Sequence, residues 1–537
     1  MQMNSEANSP PQPLRHISLR WREMTVLVLF ALASTCFGWL VKPCWDDGWF
    51  QLCQSSGQPL QEVFGDRPLY GAYLGWLERH GILWPFHYGV HFFGWFSMGL
   101  AALTVWSLMF PSLPQLRLVA GCLSIAPVIC QYQLVLVGGT VYLIQVASVF
   151  LGLFVLYWSV STEVRVPWKW LAITGAGVLV FLNTLMTEYT IPTSLAAAVL
   201  LWFLLKGKEA RRKRRLLAAV FLPAVALAGY FVFYLTADPQ PRPDTRPEQV
   251  ILGAGFLSLF KAAGENLAND LWQLSLGRTL TVLGDFSLHA DRKDFFFVGA
   301  GIFAAISIAW ASLRGDQLKL AEEKPVTRHW RGAGILLAAI VLALVPVALM
   351  GRAGNIHRMD TRFWLPVLPI AACLTVFLIT NLVRERFTSA AIIALGFLCG
   401  YATASHAYRE FREARGAKAL GDELYRRISP EGTNVAFVVY DVPDVKKCEP
   451  IESSYELVAR MTERWPTNDR NRFWAWAAPL WGNEVPNPPE DLNVTIRRVE
   501  RKGVVSKYFW VSVDERGRIR RLLERTPPGD RWLISTQ

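Results

Sequence analysis

Charge is what this chain has least of. Only 18% of its 537 residues are Asp, Glu, Lys or Arg, while 52% are hydrophobic. Soluble proteins carry about 25% charged residues, so too few remain here to cover a globular surface, and a soluble globular fold is excluded. Cysteine is scarce as well, with eight residues, and no pairing has the spacing of a zinc site. Cys36, Cys122, Cys130, Cys373 and Cys399 fall in apolar runs, as small buried residues do. Cys44 and Cys53 share one polar loop and are placed to pair if that loop faces an oxidising compartment. There is no Walker A sequence and no dinucleotide glycine fingerprint, so nothing points to a nucleotide-driven step. No sustained internal repeat of the inverted-repeat transporter kind is visible either.

What is present is a series of apolar runs near 20 residues long, the length that crosses a bilayer. About eleven spans follow: Met24–Val41, Leu83–Phe110, Leu116–Tyr132, Leu134–Ser159, Trp170–Met186, Thr190–Leu205, Leu216–Leu235, Phe295–Leu313, Gly332–Met350, Phe363–Thr380 and Ser389–Ala404. Ala31-Leu32-Ala33 resembles a signal-peptidase site, but the run continues to Val41, so the first span is read as uncleaved. The net charge of +12 reflects topology and attraction to anionic lipid rather than nucleic-acid binding, because the basic residues gather in short loops on one side. These are Arg165 and Lys169, then Arg211 to Arg215, then Arg314, Lys319, Lys324, Arg328 and Arg331, then Arg384 and Arg386. The positive-inside rule makes that side cytoplasmic, together with a disordered N-terminus over 1–23.

The opposite, extracytoplasmic side receives the loops 42–82 and 236–294, the turn 351–362 and everything after 404. The membrane domain thus occupies 24–404, and 405–537 reads as a small extracytoplasmic α/β domain. Its expected elements are a helix over 407–428, strands at 434–440, 492–499 and 508–513, and a helix around 451–464. Asp514 to Gly517 makes a turn into a further element over 518–523. Within loop 236–294, residues 250–283 have the spacing of amphipathic helices, suited either to a lid at the membrane surface or to packing on the bundle.

Chemistry-bearing residues collect on that extracytoplasmic side. Asp46 and Asp47, in Trp45-Asp-Asp-Gly-Trp49, follow the first span. Adjacent residues diverge in direction, so one carboxylate suits a general base for an attacking hydroxyl. The other would orient the acceptor or help hold a divalent cation, magnesium or manganese, the one cofactor the pattern points to. Arg67, in Asp66-Arg-Pro-Leu-Tyr70, pairs with a nearby carboxylate or meets a phosphate. Glu188 sits in a turn with almost no loop around it, facing either a cavity or the interface. Arg352, His357, Arg358, Asp360 and Arg362 crowd one short turn. Three arginines there run against the positive-inside trend, and a lipid-linked phosphate or pairing with Asp360, Glu188 or headgroups would account for them.

Together these features resemble the GT-C superfamily of polyprenyl-phosphate-sugar-dependent glycosyltransferases. The matches are the first-loop Asp46-Asp47, then Asp66-Arg67-Pro68-Leu69, then Thr187-Glu188 with Pro192, and Arg358…Arg362-Phe363…Pro366…Pro369 at the entry to a late span. Thr187 stands where that family often has lysine, and Arg358 lacks the tyrosine that usually follows. The resemblance covers 24–404; the tail resembles no family. It implies a hexosyl transfer, with inversion, from a polyprenyl-phosphate donor to a lipid, glycan or protein acceptor. Asp46 or Asp47 would be the base, and Arg358 and Arg362 the phosphate contacts. A bacterial inner membrane and a role in envelope glycan or lipid modification go with it. The alternatives are a transporter or flippase of lipid-linked sugars, expected to show charged or broken spans near the midplane, and an O-antigen polymerase or ligase.

Overall fold

The computed structural model describes residues 20–41, 68–131, 137–161, 166–205, 212–236, 256–284, 292–312, 330–349, 358–382, 387–427, 435–440, 473–477, 507–513 and 519–525. Among them nine helices are long and apolar enough to cross a membrane, and the chain is a helical multi-pass membrane protein. In chain order the helices are α1 (Trp21–Val41), α2 (Pro68–Arg79), α3 (Leu83–Met109), α4 (Arg117–Ile125), α5 (Val137–Ser161), α6 (Val166–Thr184), α7 (Thr190–Leu204) and α8 (Arg212–Thr236). Then come α9 (Phe256–Trp272), which runs through a π-helical turn Gln273–Gly277 into α10 (Arg278–Gly284), followed by α11 (Arg292–Ser312) and α12 (Trp330–Leu349). A 3-10 segment, Arg358–Val367, leads into α13 (Leu368–Leu382), and α14 (Thr388–Arg427) follows.

Two of the eleven expected spans are corrected. The run 116–132 yields only the nine-residue α4, about 14 Å of helix at 1.5 Å per residue, half of a bilayer core. Pro127 is the reason, since a residue before proline is driven out of the helical region. Ala126 is indeed extended (φ −68°, ψ 145°). The chain nonetheless recrosses between α3 and α5. Thr140 near the start of α5 meets His91 in the first third of α3, so these two helices start at the same end. Ala126 to Cys130 continue that crossing as non-helical backbone, wholly buried in protein, a setting in which such backbone is tolerated at membrane depth. The run 190–205 yields the 15-residue α7, about 22 Å and shorter than a bilayer core, although it joins the Glu188 turn at its start to Trp202 beside Arg215 near its end.

Helix ends sort into two groups. Glu23 of α1 grips Arg117 at the start of α4, Trp21 of α1 meets Trp310 near the end of α11, and Trp330 opening α12 meets Phe377 of α13. Arg215 of α8 lies 3.7 Å over Trp202 of α7. These contacts bring Arg22, Arg117, Arg215 and Arg331 to one end, hereafter the basic end. The sequence-assigned basic residues that fall on described elements thus share an end.

The core runs through α4 and α13, where every residue from Arg117 to Ile125 and from Leu368 to Phe377 is buried. Helices that are apolar all round belong in such a position. At the perimeter, α11 and α14 pack most closely. A Cβ at Gly396 would lie 3.1 Å from Ala305 Cα, and one at Gly400 would collide with the Ala300 carbonyl and the Ala304 methyl. Small residues admit this approach of backbones. The tail was expected to open on a separate helix at 407–428. Instead α14 is a single helix of 40 residues, about 60 Å, twice a bilayer core. Beyond it four strands, β1 (Val435–Tyr440), β2 (Phe473–Ala477), β3 (Lys507–Val513) and β4 (Ile519–Arg525), form a sheet of order β2-β1-β3-β4. β1 is parallel to both neighbours, and β3 and β4 are antiparallel. β1 and β3 lie at the strand runs expected over 434–440 and 508–513, and the element expected over 518–523 is β4. β2 (Phe-Trp-Ala-Trp-Ala) went unread. The helix at 451–464 and the strand at 492–499 lie outside the described residues.

Candidate functional site

The end away from the basic residues carries every expected site residue that the structure describes. Asp46, Asp47 and Arg67 lie outside the described residues, as do Cys44 and Cys53, so neither the proposed base nor the divalent cation site is tested there. The described chain resumes at Pro68, which opens α2. Proline suits that first helical position because its fixed φ is helical and its missing N–H has no partner to lose. Tyr70, Leu74 and Leu77 pack on Leu83 of α3, Val137 and Val141 of α5, and Met186 in the α6–α7 turn. Gly81, with φ 66°, ends α2 in the left-handed cap conformation that glycine adopts freely. The N–H groups of Gly81 and Ile82 close on the carbonyls of Glu78 and Leu77. The first loop therefore re-enters the bundle beside the turn that holds Glu188.

A polar tie secures α2. The Nδ1–H of His87 donates to the Leu83 carbonyl (2.5 Å), because a carbonyl can only accept. Nε2 is then the acceptor, and the Tyr73 hydroxyl donates to it at 3.3 Å. Burial pushes the Tyr73 phenol above its usual range. One turn along, His91 Nε2 accepts from the Trp95 indole (3.0 Å), which makes His91 neutral, and its Nδ1 faces Thr140 at 3.5 Å. His87 and His91 are both fully buried.

The Glu188 turn is pinned from α5. Gln145 donates through Nε2 to the carbonyls of Asn183 (2.6 Å) and Thr187 (3.2 Å), while its Oε1 accepts from the Thr187 hydroxyl. Thr184 and Thr190 hydroxyls meet at 2.6 Å across the turn, and Tyr142 stacks on Tyr189 at 4.2 Å. Glu188 itself is half-buried, and its carbonyl accepts from the Ile191 N–H (3.1 Å). Thr187, the departure from the GT-C pattern, is thus a structural anchor of the turn.

The 3-10 segment packs on α5, which carries Gln145, and on α7, which follows that turn. Prolines at 366 and 369 remove two N–H donors at its junction with α13. Its Thr361 hydroxyl accepts from the Gln131 N–H (2.9 Å), and Cys130 Sγ lies 3.4 Å from the Thr361 carbonyl. One residue thereby secures the broken crossing. Arg362 is half-buried with its guanidinium 5.2 Å from the Phe363 ring. The backbone of Arg358 starts the segment, and its side chain lies outside the described residues. Buried Trp364 carries the Arg278 guanidinium at 5.9 Å from its ring.

The structure thus sets α2 beside the Glu188 turn through Met186, and sets the segment of Arg358 and Arg362 on α5 and α7, the helices that pin and follow that turn. Of the stretch 250–283, expected as amphipathic helices, the described part from Phe256 forms α9, the π turn and α10, which pack along α12, α13 and α14. Where the π turn disrupts the helical ladder, the Thr375 hydroxyl donates to the Leu274 carbonyl at 2.8 Å. Among the described residues no three His, Cys, Asp or Glu side chains cluster as metal ligands.

Sequence reasoning missed Tyr73, His87, Gln145 and Thr361. His87, His91 and Trp95 are spaced by four, one face of a helix inside an apolar run, and Gln145 interrupts another such run; both signals were legible. No protein-family model, no curated protein and no solved structure matches this chain.

Proposed function

We propose that this protein is an integral-membrane glycosyltransferase that moves a sugar from a polyprenyl-phosphate donor to an extracytoplasmic lipid, glycan or protein acceptor. In this reading Asp46 or Asp47 is the general base, and Arg358 and Arg362, with Arg67 and Glu188 nearby, bind the donor phosphate. The basic end is cytoplasmic, as the positive-inside rule requires. The tail with its mixed sheet is an extracytoplasmic α/β domain. The observation that carries the reading is the placement, at the end opposite the basic one, of α2 against the Glu188 turn and of the 3-10 segment against α5 and α7, the helices beside that turn. Bond cleavage at an anomeric carbon leaves charge on the departing phosphate, and guanidinium groups held on a rigid segment stabilise it. A carboxylate within hydrogen-bond reach takes the acceptor hydroxyl's proton as it attacks.

The transporter reading keeps one specific support. The non-helical crossing at 126–130, beside the 3-10 segment, is the broken-helix architecture that substrate pathways use.

The deciding experiment incubates detergent-purified protein with a panel of polyprenyl-phosphate sugars and follows donor consumption. Wild type should turn over one donor, and either Asp46→Asn or Asp47→Asn should abolish turnover while donor binding persists. Turnover in both variants equal to wild type removes the first-loop mechanism. Lipid-linked sugar crossing liposomes without consumption replaces the enzyme by a transporter.

A further inference from the structure

At the basic end one arginine is held in an unusual setting. The Arg22 guanidinium lies 5.5 Å from the centroid of Trp21 and 4.7 Å from that of Trp310. The two rings meet edge to face at 5.4 Å. They are 65% and 45% exposed, on the outer surface of the bundle. Arg22 itself is half-buried, and its Nε is buried with no hydrogen-bond partner among the described residues. The adjacent acid does not neutralise it. Glu23 places Oε1 and Oε2 on Arg117 at 2.8 and 2.6 Å, and Oε2 also accepts from the Arg20 N–H.

Exposed Trp168, Trp170 and Trp330 open helices at this same end. Tryptophan girdles mark the headgroup level of a bilayer. Arg22 therefore stands at the height of lipid phosphates, with its planar fork held by two π faces and no carboxylate paired with it among the described residues. Guanidinium groups suit bidentate contact with phosphate oxygens, and ring faces hold the cation without consuming its N–H donors.

We propose that Arg22, clamped by Trp21 and Trp310, is a binding site for the headgroup phosphate of an anionic phospholipid in the adjacent leaflet. The site is independent of the reaction proposed above. It also differs from the general attraction of a basic surface for an anionic leaflet, because one geometry, and not total charge, sets it.

Native mass spectrometry of the full chain in detergent, titrated with phosphatidylglycerol or phosphatidylcholine, tests this. Wild type should retain one phosphatidylglycerol in preference to phosphatidylcholine. Arg22→Gln should weaken that retention about tenfold, the loss of one charge-assisted contact. Arg331→Gln, which removes an exposed charge at the same end, should change it by less than about twofold. If Arg22→Gln fails to fold, Trp310→Leu, which opens the clamp and keeps the charge, should still weaken retention. Equal losses in Arg22→Gln and Arg331→Gln, no preference between the lipids, or displacement of the lipid by millimolar inorganic phosphate would each overturn the proposal.

Discussion

The two ends of the bundle handle polar groups in opposite ways. At the basic end the polar groups are ionic: Glu23 with Arg117, and Arg22 and Arg215 against tryptophan rings. At the other end a set of neutral buried side chains bonds to backbone: Gln145 to the Glu188 turn, Thr361 to the broken crossing, and His87 to Leu83, with Tyr73 on its far nitrogen. The Glu23–Arg117 pair at one end holds two helix starts against one another. Neutral hydrogen bonds at the other shape irregular backbone in the Glu188 turn and the broken crossing. The first arrangement serves assembly and orientation; the second serves a site, since a precise backbone geometry is what positioned chemistry requires.

The contrast can be broken from either side. The largest effect belongs to Arg117→Met, which strands the buried Glu23 carboxylate and should cost about 3–5 kcal/mol. Thermal unfolding in detergent measures it, and the double variant Glu23→Leu/Arg117→Met should recover most of the loss. Recovery failing in the double variant would mean that α1 and α4 depend on more than this pair.

Gln145→Leu comes next. It leaves two carbonyls and the Thr187 hydroxyl unsatisfied and should cost about 3 kcal/mol. Hydrogen exchange should rise locally over 183–190 while the exchange of α1 and α4 is unchanged. A uniform rise across all helices would erase the distinction between the two ends.

Tyr73→Phe is the smallest, about 1 kcal/mol for one hydrogen bond. It also has a pH signature. Burial raises the folded phenol above the ordinary tyrosine value of about 10. The associated stability is therefore complete below about pH 10 and is lost as pH rises through the folded value. Stability measured from pH 7 to 11 should fall above pH 10 in wild type and fall less steeply in Tyr73→Phe. Identical curves would show that the α2 tie contributes nothing at that end.

The membrane class, the places of most spans and the grouping of basic residues at one end were legible from composition and run length alone. Hydropathy and charge are properties of local sequence, and a bilayer acts on them locally. Pro127 was legible too, as was the four-residue spacing of His87, His91 and Trp95, although the apolar run around each obscured it. The length of α4 was not recovered, because an apolar run reads the same whether it is a span or a buried half-helix. Only the tertiary structure decided that Gln131 bonds Thr361, 230 positions away, that α2 packs beside the Glu188 turn, and that the 3-10 segment packs on α5 and α7. Contacts across such separations depend on how the helices cross and which faces meet, and no local pattern of residues encodes that.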